Sequence, residues 1–383
     1  MNTSIKTEQR INPVRQYDID WLRVLAMVMV FLFHCARFFD HDDWHVKNLQ
    51  LDAGMSSFVF FVSRWIMPLF FMLSAISASF SLSRRSGRQF IVSRIKRLAV
   101  PFIIGALTHI SLQVYFERVS HSHFEGSFFA FFPQYFNGLY AFGGNFAWMG
   151  LHLWYLEVLF IFSLIVLPLF LVLKKPSLEG FRQNLTVFFT KPGAVFLLAV
   201  PLMAMEIIVG LDPDGIGRRD FGGWSLLTYL VFFVNGYLLV LGDRERQAVK
   251  KHGWIAFGLG IITTSVGILM IESGRSYNGI LVAFLQAFNS WFWLVAILGL
   301  GNRFLRSKNR FLSYANEAVL PFYVLHQTII VTIAFFMISW QAGVWVKYIV
   351  LAVSSFTGIV ILYDLLVRRF NPIRFLFGMR SKS

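Results

Sequence analysis

A chain of 383 residues with 56% hydrophobic and 17% aromatic residues and a mean hydropathy of +0.61 carries more apolar surface than a soluble core of that size can hide. Its formal net charge of +15 invites a nucleic-acid reading, but 26 of the 35 Lys and Arg residues fall in six segments, 6–15, 84–97, 174–191, 244–251, 303–310 and 368–382, that alternate with apolar stretches. That is the positive-inside pattern of a polytopic membrane protein; it argues against a nucleic-acid partner and predicts both termini in the cytoplasm.

Residues 1–16 are polar and read as a short cytoplasmic arm. Ten apolar runs of about 20 residues follow, near 18–40, 55–82, 98–116, 151–173, 191–210, 224–241, 253–272, 280–300, 315–338 and 346–367. The expected fold class is therefore all-α, about ten transmembrane helices in one bundle spanning 17–370, with a basic cytoplasmic tail at 371–383. The first run is long and carries Arg23 and His34, so it reads as a retained span and not a signal peptide. The single cysteine, Cys35, lies inside it, so no intrachain disulfide can form, and packing is its expected role.

Arg23 and His34 are the most informative residues of that first span. An ionisable side chain at membrane depth is expensive and calls for a function. Eleven residues is close to three helical turns, so the two share a face about 16 Å apart, with Asp20 one turn below Arg23. Imidazole titrates near neutrality, which makes His34 a candidate general base; a packing histidine bonded to a neighbouring span has the same spacing. The outer loop after it places Trp44 and His45 among several acidic residues.

Ser74 and Ser77 sit in the second span, where they line a cavity or bond back to their own helix. Arg94 and Arg97 then stand one turn apart just before the Pro-containing third span. Two planar guanidiniums so placed suit a phosphate clamp, although topology and anionic lipid headgroups also call for basic residues there. The largest outer segment, 117–150, is rich in aromatics, His and Gly and predicts a structured cap; sugar stacking and an interfacial aromatic belt are both consistent with it. His152, Trp154 and Glu157 open the fourth span, and His326 lies mid-span in the ninth. Arg64, Glu206 and Glu317 are further ionisable groups at or near membrane depth, several of which should pair. No 20–50-residue repeat and no matched pair of interrupted spans is present, which weighs against a carrier.

Taken in order, these segments resemble the acyltransferase 3 family of integral membrane acyltransferases. The resemblance rests on Asp20-Trp21-Leu22-Arg23 and His34, on PLFFMLSA at Pro68–Ala75, on Arg94 and Arg97 before Leu98 and Pro101, on HLWYL at His152–Leu156, and on PFYVLH at Pro321–His326. It runs from the first span to the ninth. It implies an enzyme of a bacterial cytoplasmic (inner) membrane that moves an acyl group, acetyl or succinyl, from cytoplasmic acyl-CoA to a hydroxyl of an extracytoplasmic glycan. His34 matches the essential histidine, Arg23 its arginine partner tied by Asp20, and Arg94 and Arg97 the Arg-x-x-Arg pair near the donor, with Ser74 close by. Trp44, His45, His152, Trp154, Glu157 and His326 are expected to line the substrate cavity. Acyl-CoA is the expected donor substrate, membrane lipids are the surroundings, and no metal is expected. Trp44-His45-Val46 and the His-Leu-Trp start of the fourth span are similar to the subgroup that succinylates periplasmic glucans. Ala75 stands where the family often has Gly, which leaves close backbone approach of a ligand there in doubt. The readings kept beside this one are an exporter of a glycan or small anion and an acyltransferase with a small-molecule acceptor.

Overall fold

The computed structural model describes residues 16–240 and 243–382; of the arm expected at 1–16, all but Gln16, with Lys6, Arg10 and Arg15, lies outside the described residues. The chain is helical: α1 (Tyr17–Arg37), α2 (Ala53–Ser63), α3 (Ile66–Leu82), α4 (Gly87–Arg94), α5 (Val100–Leu107), α6 (Ile110–Ser120), α7 (Phe128–Phe131), α8 (Trp154–Ile165), α9 (Leu167–Leu173), α10 (Glu179–Thr190), α11 (Ala199–Gly210), α12 (Leu226–Leu238), α13 (Asp243–Glu272), α14 (Gly279–Phe304), α15 (Arg310–Met337), α16 (Val344–Leu362) and α17 (Asn371–Leu376). Among the described residues, seven helices or continuous helix pairs are long and apolar enough to cross a membrane, and two sharply bent pairs raise the number to nine.

The ten expected runs thus resolve into seven long spans, two bent pairs and one short helix. The bends have local causes. Pro168 starts α9 just past a 45° bend from α8. Gly193, at φ +75°, turns the chain 120° between α10 and α11. The short one, α12, has 13 residues against the roughly 20 of a full crossing.

Local signals agree with the helices they start. Asp18 and Asp20 occupy the first turn of α1 and His34 and Arg37 its last, matching the helix dipole. Asp52 caps α2, a Ser86/Gln89 capping box starts α4, and Asn309 caps α15. Pro101 has no N–H for the carbonyl of Arg97, and the turn beside it, Ile95–Ala99, widens to a π-helix. Helices in lipid gain little from hydrophobic burial against one another, so close backbone approach matters more. Where α13 meets α14, a Cβ on Gly299 would lie 2.5 Å from the Val249 carbonyl oxygen and 2.9 Å from Gly253 Cα.

The two ends of the bundle differ. At the basic end, Asp18 receives Arg246 at 2.9 Å and Asn302 at 2.7 Å, and Trp21 donates to the Ser307 carbonyl. At the far end, the loop 38–52 folds inward: buried Asp40 takes Arg37 at 2.5 Å and Lys47 at 2.6 Å. Burial pushes the Asp40 carboxyl up and the Lys47 ammonium down, and their mutual contact opposes both shifts. Lys347, buried on α16, donates to Asn48 at 2.7 Å and to the last carbonyls of α15. The 121–150 segment forms short helical turns whose buried Tyr135 donates to the Ala106 carbonyl, while Phe129 and Phe142 project outward.

Candidate functional site

A cavity of about 630 Å³ opens at the basic end between α1, α3, the π-turn, α8, α15 and the tail after α17. Arg23, Ser74, Arg94 and Arg97, four of the residues singled out in the sequence, line it together with Ser77, Tyr155 and Tyr323. Arg23 bridges Asp20 at 2.9 Å and Ser77 at 2.5 Å, which fixes the guanidinium across the gap between α1 and α3. Tyr155 donates to the Phe70 carbonyl at 3.1 Å, so the Ser74 hydroxyl, 2.7 Å away, is left to donate to Tyr155. Ser77 also bonds back to the Leu73 carbonyl.

Arg94 and Arg97 are different. Among the described residues neither guanidinium has a hydrogen bond or an ion pair; Arg94 lies over the Phe90 ring at 4.6 Å. Among the described residues, five arginines, Arg23, Arg94, Arg97, Arg374 and Arg380, face this one space, and the one carboxylate lining it, Glu317, is taken by Arg374 at 2.8 Å. Arg23 is paired with Asp20, which leaves half-buried Arg94 and exposed Arg97 and Arg380 without a carboxylate among the described residues, an arrangement that suits an anionic ligand.

Past Tyr323 the cavity gives way to a packed polar core built from four histidines. His326 lies one turn beyond Tyr323 on α15, fully buried, with Nδ1 2.6 Å from the Tyr323 carbonyl oxygen. A carbonyl only accepts, so Nδ1 carries the proton and Nε2 is an acceptor. His34 Nδ1 stands 3.1 Å from that Nε2 and 3.0 Å from the Val30 carbonyl oxygen. Both partners accept, so His34 is protonated on Nδ1 and keeps the lone pair on Nε2. That is the tautomer a general base requires. His326 also meets His152 edge to face, ring centres 5.0 Å apart. His152 and His109 both donate to the Val324 carbonyl, at 3.2 and 3.0 Å, and Gln113 donates to His152 and to Thr328. Tyr323, whose side chain lines the cavity, donates to the His152 carbonyl and so ties the cavity to the histidine core.

The structure therefore brings together Asp20, Arg23, Ser74, Arg94 and Arg97 in and around the cavity, and His34, His152 and His326 beyond it. It does not bring Trp44, His45, Trp154 or Glu157 to the cavity. Trp154 packs with Phe71, Phe221 and Tyr229. Glu157 is half-buried and without a polar partner among the described residues. His45 belongs to a separate cluster at the far end. There Glu117 accepts from His45, from Arg118 at 3.1 Å and from Tyr140 at 2.8 Å, and Arg118 goes on to Asn145 and the Gly144 carbonyl. Trp44 stands beside His45, ring centres 5.6 Å apart. Glu206 pairs with Arg219 at 2.5 Å and Thr228.

Sequence reasoning missed His109, Gln113, Tyr155 and Tyr323. His109 sits inside the third apolar run, at the break between α5 and α6, so the intramembrane-ionisable signal that found His34 applied to it equally. Tyr155 and Tyr323 lie inside the HLWYL and PFYVLH segments, which was the signal for them, but their neighbours His152, Trp154 and His326 were singled out instead.

Comparison with known proteins bears on the same residues. The family model described as Acyltransferase domain, of the acyltransferase 3 type, matches residues 16–364. Glucans biosynthesis protein C of Escherichia coli strain SMS-3-5 is 21% identical over 96% of each chain, that of E. coli strain K12 20% identical over 96% of each, and that of Shigella dysenteriae serotype 1 20% identical over 96% of each. No solved structure matches.

Proposed function

The chain belongs to the acyltransferase 3 family, and from that premise we propose that it is a membrane O-acyltransferase carrying an acetyl or succinyl group from cytoplasmic acyl-CoA to a hydroxyl of an extracytoplasmic glycan. The observation that carries the reading is continuity: a cationic cavity with two guanidiniums, Arg94 and Arg97, unpaired among the described residues, ends at Tyr323, one turn from the bonded His34–His326 pair. The glycan acceptor follows the printed name of the relatives, which concerns glucan biosynthesis. The basic end faces the cytoplasm, both termini with it, and the ten apolar runs make ten crossings or part-crossings of a bacterial inner membrane; the placement of the basic residues supports that orientation.

In this reading Arg94 and Arg97 meet donor phosphates, and Arg23, held by Asp20 and Ser77, faces the acyl end. The acceptor hydroxyl arrives from the far end. His34 Nε2 takes its proton as the oxygen attacks the thioester carbonyl carbon; the C–S bond breaks and the departing thiolate recovers the proton from His34. While His34 is an imidazolium, its Nδ1–H donates to His326 Nε2 and to the Val30 carbonyl, two acceptors already in place. His326 and Tyr323 are positioning residues.

The test is mass spectrometry of extracytoplasmic glycans from cells lacking the gene, complemented with wild type or with His34→Ala. An acyl mass increment restored by wild type alone supports the proposal and identifies group and acceptor. Acyl-CoA consumption with no increment in any glycan fraction moves the acceptor to a small molecule, and an increment restored equally by His34→Ala removes His34 from the chemistry.

A further inference from the structure

A second concavity of about 520 Å³ lies beside the first at the basic end, and the two share Arg97, Gly378, Met379 and Arg380 as a common wall. Its lining adds Arg85 and Lys96, with Gln89 and Ser93 as neutral hydrogen-bonding groups, and among the described residues contains no carboxylate. The tail that divides the two spaces is a built wall. Arg374 is buried and holds it through Glu317 at 2.8 Å and the Arg380 carbonyl at 2.8 Å, and Asn371 and Lys382 bond each other across the loop. Gly378 makes the turn at φ +68°; a Cβ there would lie 2.8 Å from the Arg97 carbonyl oxygen, so tail backbone and π-turn touch directly.

The geometry points to this antechamber as the seat of the nucleotide end of the acyl donor, with Arg380, Lys96 and Arg85 holding its 3′-phosphate and the Gly378–Arg380 turn as the threshold the donor's arm crosses to reach Arg94 and Arg23. This inference rests on the acyl-CoA reading above and extends it to residues outside the Arg-x-x-Arg pair. A positive-inside bias explains why basic residues lie at this end. It does not make four of them converge on one concavity without an acid among the described residues, nor use a buried arginine to fix the wall. Arg85 is already oriented, donating to Ser93 at 2.9 Å, and a phosphomonoester carrying about −1.5 to −2 charges is the kind of anion that several side-chain cations suit. A lipid headgroup offers the same phosphate chemistry, so the test separates the two sources.

Full-length protein is reconstituted in vesicles of zwitterionic lipid, with and without anionic lipid, and KM is measured for acetyl-CoA or succinyl-CoA and for the corresponding 3′-dephospho donor. Wild type should favour the 3′-phosphorylated donor. Arg380→Ala should raise KM for that donor about tenfold, the loss of one charge-assisted phosphate contact, while changing KM for the dephospho donor far less. Lys96→Ala, on an exposed side chain, should repeat the pattern. Equal KM values of wild type for the two donors, or an equal rise for both in each variant, overturns the assignment. A variant effect seen only with anionic vesicles gives the site to lipid. Wild type that turns over neither donor refutes the acyl-CoA reading itself, a different failure from losing the 3′-phosphate preference.

Discussion

Replacing His326 by Leu removes the side-chain acceptor of His34 Nδ1–H and leaves only the Val30 carbonyl at 3.0 Å. The neutral His34 of the resting enzyme loses little, because one acceptor remains. The imidazolium formed during transfer loses a hydrogen bond to a charged donor, a type of contact that contributes about 1.5–3 kcal/mol. At 1.36 kcal/mol per factor of ten, kcat should fall about 10- to 150-fold, with KM for the donor unchanged because the cavity arginines are untouched. The assay is transfer from isotopically labelled acyl-CoA by protein in liposomes at saturating donor and acceptor. Folding is monitored by thermal unfolding in detergent, and His326→Gln, which restores an acceptor oxygen, should recover part of the rate. The decisive measurement is the double variant. If His326 acts through His34, His34→Ala with His326→Leu is no slower than His34→Ala alone. Losses that multiply across the two positions refute the relay.

Arg94→Ala with Arg97→Ala should lower kcat/KM for the donor by at least about 100-fold, two charge-assisted contacts at once, and leave KM for the acceptor in place; an unchanged donor dependence assigns the pair to topology. Lysine at both positions should recover only part, since a point charge lacks the planar fork. Glu117→Ala strips a carboxylate that gathers His45, Arg118 and Tyr140 at the far end, and should cost about 3–5 kcal/mol of stability, the usual penalty for breaking a buried ionic network. Calorimetry in detergent reads it, and an unshifted transition counts against that network. Gly299→Ala drives a methyl group to 2.5 Å from the Val249 carbonyl oxygen; a loss of about 1–3 kcal/mol is expected, and a variant as stable as wild type means that α13 and α14 do not approach so closely.

Local spacing made one part of the site legible. Asp20, Arg23 and His34 lie on one helix, so their alignment followed from 3.6 residues per turn, and the Asp20–Arg23 contact is where that arithmetic puts it. The bond between His34 and His326 spans 292 positions of sequence; each was recognisable as an expensive ionisable group, and nothing short of the fold pairs them. Trp154 and Glu157 share a helix with Tyr155, yet only Tyr155 turns toward the cavity, because adjacent residues on a helix face different ways. The apolar runs located the spans, but hydropathy is blind to a bend at Gly193 or to the truncation of α12. Arg374 and Arg380 read as topology, since charge counts alone do not say which arginine is buried in a wall and which lines a chamber.

The depth at which the cavity stops has a consequence for the cell. In the proposed orientation the cleft enters from one side of the membrane, and the partition that remains is the histidine core with Tyr323 at its face. Its members are bonded to one another and to backbone carbonyls. In that reading the bulky nucleotide stays on the cavity side, and only the two- or four-carbon acyl group has to pass. A protein that works in this way exports a chemical group without transporting the molecule that carries it.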